Sequence, residues 1–548
     1  MSQAGPHDSP WTLQGGTPEE RRIWEMFLSR GLSRQNDRRT ISVTCIHERS
    51  RYIEETPDGT TGEGFILRFG EPVTVTYTSL RGLYYGLVTL ADLRNRGDLP
   101  EGELHDYPRF PFRGIIEGFY GTPWSHEARK EMIRFLPEIR MNSFFYGPKD
   151  DPFHRELWRD AYPQGELCRL EELLKTSGDQ DTLFWYSLSP GLSIRYSSRE
   201  DRRLLAEKFL QLYGIGVRHF GLFLDDIPET LLHREDREAF SDLVEAHIFL
   251  INDIFESLTR TDPRIALAVC PTKYWGKPGY YLTRMGEGID GRIHLFHTGP
   301  EICSRELALR DAVHLERVMG RPVLYWDNYP VNDAEMTHEL HIGPYEQRDR
   351  HLYRAAEGVI ANGMEYPEAS KIPFFTIGEY LWNPEHYNPE ESLKRAVHRV
   401  LGERDWEAFL PFVDNNRSSC LASGEPTALQ TALGICGFHL QRGEIAEALT
   451  ILKEEYTRLA GADALFKGGM ENATLEKDIR PWAEKYSLGV EILGCVIELL
   501  DGGEEDKPVL MQRFEELAER FFSTRAYVFS DVLPLALTEI RKFLTGEV

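Results

Sequence analysis

Short apolar runs separated by longer amphipathic, charge-laced segments fill the middle of the chain. Eight such runs occur: FRGIIEGF (112–119), MNSFFYGP (141–148), TLFWYSLSP (182–190), HFGLFLDD (219–226), RIALAVCPT (264–272), RIHLFHTGP (292–300), RPVLYWDNYP (321–330) and GVIANGME (358–365). Buried strands alternating with helical-period segments predict βα units around a parallel sheet. Eight units within residues 111–395 match the count and size of a (β/α)8 TIM barrel, so an α/β fold of that class is expected there. A doubly wound open sheet is the alternative, but no G-x-G-x-x-G follows the first run.

The flanks read differently. Thr17-Pro18-Glu19-Glu20 supplies an N-cap, a first-turn proline and a glutamate placed to close a capping box, which predicts a helix start. The β-like runs TISVTCI (40–46) and FILRFGEPVTVTY (65–77) follow, then the helical stretch LRGLYYGLVTLADLRNR (80–96). An N-terminal α+β domain over 1–110 is expected, closed by the linker GDLPEGELHDYPRFP. After residue 395 the β-like runs stop, and segments such as EIAEALTILKEEYTRLAGA and KPVLMQRFEELAERFFSTRAYVF predict a C-terminal helical bundle over 396–548. The apolar faces of those helices fit packing on the barrel or a homodimer through the bundle, and the pattern leaves both open.

Composition narrows the partners. With 63 Lys+Arg against 88 Asp+Glu the net charge is −25, a field that repels phosphate backbones and anionic membranes, so neither nucleic acid nor membrane is expected as a partner. Seven widely spaced cysteines without a C-x-x-C pair suggest neither a zinc knuckle nor a disulfide framework. The opening residues lack a charged-then-apolar leader, and the chain nowhere runs 18 apolar residues, which leads to the expectation of a cytoplasmic protein.

In such barrels the chemistry lies at the carboxyl ends of the strands. Those ends are polar here: Glu117-Gly118-Phe119-Tyr120 after the first run, Lys149-Asp150-Asp151 after the second, Asp225-Asp226 after the fourth and Lys273-Tyr274 after the fifth. Trp326-Asp327-Asn328 and Asp333 follow the seventh, and Asn362 and Glu365 the eighth. The sharpest feature is Asp225-Asp226, because FGLFL before it is wholly apolar. Like charges that close push one pKa up, which a general acid needs, although one aspartate capping a helix beside a solvated one is the bland alternative. A double-displacement glycosidase needs two carboxyls on opposite sides of the anomeric carbon. Neighbours are poorly placed for that but can do two jobs on one side, as in hydrolysis where the sugar's own 2-acetamido oxygen attacks.

The stretch RGIIEGFYGTPWSHEARKEMIRFLPEIRMNSFFYGPKDDPFHRELWRDAYP (113–163), with FLDDIP, PTKY, YWDNYPVND and ANGMEYPEASKI in order, resembles glycoside hydrolase family 84, the O-GlcNAcases and bacterial β-N-acetylglucosaminidases. The resemblance covers residues 110–395 and implies a retaining exo-β-N-acetylglucosaminidase working through an oxazoline, with no metal or organic cofactor. It implies Asp226 as general acid and base, Asp225 as the group orienting the acetamido N–H, and Tyr274 as the donor to the acetamido oxygen. Gly118, Lys149, Asn328, Asp333 and Asn362 would bind the sugar, with Tyr120 and Trp326 as walls. The expected partner is a glycan or glycoprotein ending in β-GlcNAc; hyaluronan is disfavoured by the net charge. The chain departs from many bacterial members at Lys273, at Trp326-Asp327 and at Asn362-Gly363-Met364-Glu365-Tyr366, none of which removes a proposed catalytic group, and no acetyltransferase-like domain is expected after the helices.

Rival readings concern the same residues. Lys149 as a Schiff-base lysine would need an apolar pocket, whereas two aspartates follow it. His154, His294 and His297 lack a metal-ligand spacing, and Asp150-Asp151 could simply cap a following helix. A catalytically silent glycan-binding protein is the rival from another class.

Overall fold

The computed structural model of the chain describes residues 11–30, 41–47, 62–422, 424–503 and 505–545. The opening residues 1–10, read above for a leader, lie outside them. Among the described residues five strands form the N-terminal sheet: β1 Trp11–Gln14, β2 Ile41–His47, β3 Phe65–Phe69, β4 Val73–Tyr77 and β5 Gly102–Asp106, in the order β1-β2-β4-β3-β5. The helices Pro18–Ser29 and Leu80–Arg96 share its core. Thr17 and Glu20 close the capping box, with the Glu20 N–H donating to Thr17 Oγ1 at 3.2 Å and the Thr17 N–H to Glu20 Oε2 at 2.6 Å. The expected linker is in part a strand, because β5 pairs antiparallel with β3 from Phe65↔Asp106 to Phe69↔Gly102.

Eight parallel strands close the barrel: β6 Phe112–Glu117, β7 Ser143–Tyr146, β8 Leu183–Leu188, β9 His219–Phe223, β10 Ala266–Cys270, β11 His294–His297, β12 Val323–Asp327 and β13 Ala356–Asn362. The first seven lie within their apolar runs, β13 begins two residues before the eighth run, and β13 pairs with β6 to close the ring. Inward side chains fill the lumen, with Ile116, Phe145, Trp185, Phe223, Phe296, Leu324 and Ile360 packed together and Trp326 among them. The lumen is a packed core, which leaves the strand ends and their loops to form a site.

Two joints hold the flanks. Glu63 accepts from Arg81 and Arg113, each at 2.5 Å, and Arg113 is wholly buried. On the other side, the helical region shares a core with Leu340, Ile342 and Met364 of the barrel's loops and with Ala369 of the helix Pro367–Trp382. The helix Pro389–Leu401 runs across residue 395, and its buried Leu393, Ala396 and Val397 belong to that helical core. Among the described residues no helix is long and apolar enough to cross a membrane, and all seven cysteines are free thiols.

Candidate active site

The end of β9 sets the site. HFGLF is apolar and buried beyond His219, and the Leu224 N–H still donates to Cys270 of β10 at 2.8 Å, so the ladder carries the chain straight to Asp225. Successive strand residues point to opposite faces. Asp226 breaks that alternation with a φ of +50°, a left-handed conformation that aspartate tolerates better than most residues, and both carboxylates line one cavity.

Their surroundings differ. Asp225 is buried, and its Oδ2 accepts from the Lys149 ammonium at 2.6 Å. Burial pushes its carboxyl up, but the Lys149 charge outweighs that and holds it below the usual carboxylate range; burial likewise lowers Lys149 and Asp225 outweighs it upward. The expected like-charge effect is therefore not what governs Asp225. Among the described residues its buried Oδ1 has no hydrogen-bond partner. Asp226 is more open, accepting from Tyr120 Oη on Oδ2 at 2.8 Å and from Tyr274 Oη on Oδ1 at 2.9 Å. Burial and the adjacent Asp226 charge push the Tyr274 phenol well up, so it stays a donor.

Opposite the carboxylates, a chain of amides is fixed by the strands. The Gly118 N–H donates to Asn362 Oδ1 at 3.2 Å, Asn362 Nδ2 donates to Asn328 Oδ1 at 3.0 Å, and Trp326 Nε1 donates to the same oxygen at 3.0 Å. Asn328 Nδ2 reaches the Ile302 carbonyl at 2.8 Å. Each carboxamide keeps a further N–H for a ligand hydroxyl. Gly118 is required where it stands, since a Cβ there would lie 2.6 Å from Trp326 Cζ2. Asp333 accepts the Tyr120 N–H at 2.8 Å, and burial pushes its carboxyl up.

All ten residues singled out from the sequence, Gly118, Tyr120, Lys149, Asp225, Asp226, Tyr274, Trp326, Asn328, Asp333 and Asn362, line one cavity of about 550 Å³. Thr298, Glu301, Ile302 and Cys303 after β11 also line it and were missed. HTGPEIC (297–303) offers no cluster of chemistry-bearing types, and its place follows only from backbone bonds, Thr298 N–H to Tyr274 at 2.7 Å and Gly276 N–H to Gly299 at 2.9 Å.

Other strand-end groups serve the scaffold. Glu117 is buried and held by Arg129 at 2.6 and 2.8 Å. Asp327 points away from the cavity to Arg348 at 2.8 and 3.0 Å and to Tyr345 at 2.5 Å. No regular helix follows Asp150-Asp151; instead Asp151 accepts the Phe153 N–H at 2.8 Å and the Tyr162 hydroxyl at 2.6 Å. Lys273 pairs with Glu229 outside the site. His154 binds the Ser187 carbonyl at 2.7 Å, His294 faces Glu357 at 3.0 Å and His297 accepts the Gly299 N–H at 2.9 Å, so the three histidines stand in separate settings.

A parallel barrel with paired carboxylates, amides and an indole at one rim defines a sugar-handling enzyme of the glycosidase class. The beta-N-acetylglucosaminidase family model matches residues 113–414. The protein O-GlcNAcases of Rattus norvegicus and Mus musculus are each 32% identical over 274 residues, 49% of this chain and 29% of theirs, so the match spans under a third of those relatives. A solved mutant of the Thermobaculum terrenum O-GlcNAc hydrolase is 34% identical, covers 79% of this chain and 94% of its own, and superposes with a TM-score of 0.75. CpGH84B shares the fold at a TM-score of 0.81 over 96% of both chains with 24% identity. The chain belongs to glycoside hydrolase family 84, the β-N-acetylglucosaminidase family.

Proposed function

We propose that the protein hydrolyses a terminal β-linked N-acetylglucosamine from its aglycone, with retention of configuration and with the substrate's own acetamido oxygen as nucleophile. The observation that carries this reading is the divided pair: Asp225, ionised beside Lys149 and with a buried Oδ1 that no described residue partners, stands next to an open Asp226 flanked by two phenols. A buried carboxylate oxygen with no donor is costly. An acetamido N–H supplies that donor.

In the first step Asp226 gives its proton to the glycosidic oxygen, which leaves with the electron pair of its bond to C1. The acetamido oxygen bonds C1 as Asp225 holds the N–H, giving a protonated oxazoline (an oxazolinium ion) whose positive charge the Asp225 carboxylate balances; Tyr274 redirects its hydroxyl from Asp226 to that oxygen. In the second step Asp226, now a carboxylate, takes a proton from water, and the water oxygen opens the oxazoline at C1. The amides of Asn328 and Asn362, with Lys149 and Asp333, read hydroxyls and the ring, while Trp326 floors the pocket against Phe223 and Phe296, whose ring centroids lie 5.3 and 5.7 Å away. No step needs a metal or organic cofactor. Likeness to proteins named O-GlcNAcase favours GlcNAc on protein serine or threonine as the substrate.

The test compares an aryl β-N-acetylglucosaminide with the matching β-glucoside, with and without GlcNAc-thiazoline. Turnover of the acetamido sugar alone, blocked by the thiazoline, is expected. Tight thiazoline binding without turnover would instead make the protein a glycan binder, and equal turnover of both sugars would remove the acetamido role.

A further inference from the structure

The open carboxylate Asp226 does not stand on its two tyrosines alone. Arg155, on the turn after β7, donates from Nη1 to Tyr120 Oη at 3.0 Å and from Nη2 to the Asp226 carbonyl at 3.3 Å. The turn itself is braced: the ring of its neighbour His154 bonds Ser187 at 2.7 Å, and the His154 carbonyl accepts the Ser189 N–H at 2.9 Å. Guanidinium has donors only, whereas a phenol has one proton and two acceptor sites. With Arg155 occupying an acceptor site of Tyr120, the single phenolic proton is directed to Asp226 Oδ2, 2.8 Å away. The Lys149 ammonium lies on the same side, 4.0 Å from Oδ2. Among the described residues Oδ1 meets only Tyr274, at 2.9 Å.

We propose that Arg155 is a positioning residue that acts through Tyr120 to make the two oxygens of Asp226 unequal. Oδ2 is the fixed acceptor, gathering the charge of the carboxylate beside two cations. Oδ1 carries the transferred proton, and it is freed for the glycosidic oxygen when Tyr274 turns to the acetamido group. The proton passes from Oδ1 to the leaving oxygen as the bond to C1 breaks, and the electrons left on Asp226 settle towards Oδ2. This inference rests on the proposed hydrolysis.

The experiment measures kcat and KM of wild type, Arg155→Ala, Arg155→Lys and Tyr120→Phe on two aryl N-acetylglucosaminides, one with a dinitrophenyl and one with a methoxyphenyl leaving group. Thiazoline affinity is measured beside them. General acid help is worth about 10²–10⁴-fold, and a misaimed acid forfeits part of it. Arg155→Ala and Tyr120→Phe are expected to lower kcat roughly 10- to 100-fold on the methoxyphenyl substrate, which needs the acid. On the dinitrophenyl substrate, which does not, Arg155→Ala changes kcat by less than about threefold with thiazoline affinity kept, and Tyr120→Phe loses less than it does on the methoxyphenyl substrate. Arg155→Lys restores part of the loss, and the double variant is no worse than either single one because the two share one path. Equal losses on both substrates, weakened thiazoline binding or additive single effects would overturn the inference. Tyr120→Phe keeps the ring and decides the matter should Arg155→Ala not fold. A wild type without acetamido-specific turnover would instead fail the proposed function itself.

Discussion

Asp225 and Asp226 are chemically identical side chains that the fold makes different by what touches them. Lys149 fixes one as a carboxylate, and the phenols flank the other. Asp226→Asn is therefore expected to cut turnover of poor leaving groups by about 10²–10⁴-fold while sparing activated aryl glycosides more. Asp225→Asn is expected to impair both classes, and a leaving-group series reads the contrast; small, equal losses would contradict the division of labour. Gly118→Ala drives a methyl group to within 2.6 Å of Trp326. Overpacking of this kind costs about 1–3 kcal/mol, and calorimetry should show thiazoline affinity falling roughly 10-fold or more; unchanged affinity would mean the indole yields without moving the pocket. At this scale the sequence was informative wherever a chemistry-bearing side chain directly followed an apolar run, as at Asp225-Asp226 or Asn362. Arg155 was not legible, because its role is a contact with Tyr120 across 35 positions of chain.

Elements show where the pattern of apolar positions suffices and where it does not. The eight barrel strands are buried on both faces and read as short continuous apolar runs. The edge strand GELHD was read as a linker because its residues are mostly solvent-facing and its partner β3 is distant in sequence. Buried imidazoles add a pH dependence at the same scale. His154 is pushed down to about 4 and His247 and His297 to about 3 by burial, all from an ordinary value of 6.5. Folded values below the unfolded one mean that the neutral rings contribute fully above pH 6.5 and that this stability is lost as pH falls from there towards 3, by about 1.4 kcal/mol per pH unit for each ring once well below 6.5. Asp478, pushed up to about 6 by burial, works in the opposite direction below that pH and offsets one ring. Melting temperature is therefore expected to drop between pH 7 and pH 5; a flat or rising profile would contradict this.

The whole molecule is held to its site by joints at both ends of the barrel. Trp482 Nε1 and the Tyr527 N–H both donate to the His338 carbonyl, at 2.9 and 2.7 Å, and Asp478 accepts the N–H groups of Glu368 and Ala369. The helical region thereby braces the segment that runs on from Asp333 to Met336, both of which line the cavity. At the other joint Glu63 balances Arg81 and the wholly buried Arg113. Glu63→Gln leaves that buried charge short of its partner, which costs about 3–5 kcal/mol, and should appear as a lower melting temperature with the site chemistry intact. An unchanged melting temperature would show that the joint contributes little. Neither joint could be read beforehand, since each pairs residues from separate domains whose patterns give no docking direction.

The central claim is that the substrate's acetamido oxygen attacks C1 while Asp225 steadies its N–H. The most direct test is kcat/KM on one aryl β-glycoside whose acetamido methyl carries zero, one, two or three fluorines. Each fluorine withdraws electrons from that oxygen, so the account predicts a steep, monotonic fall across the series. Constant kcat/KM across the four substrates would contradict it and place the nucleophile on the protein or on water.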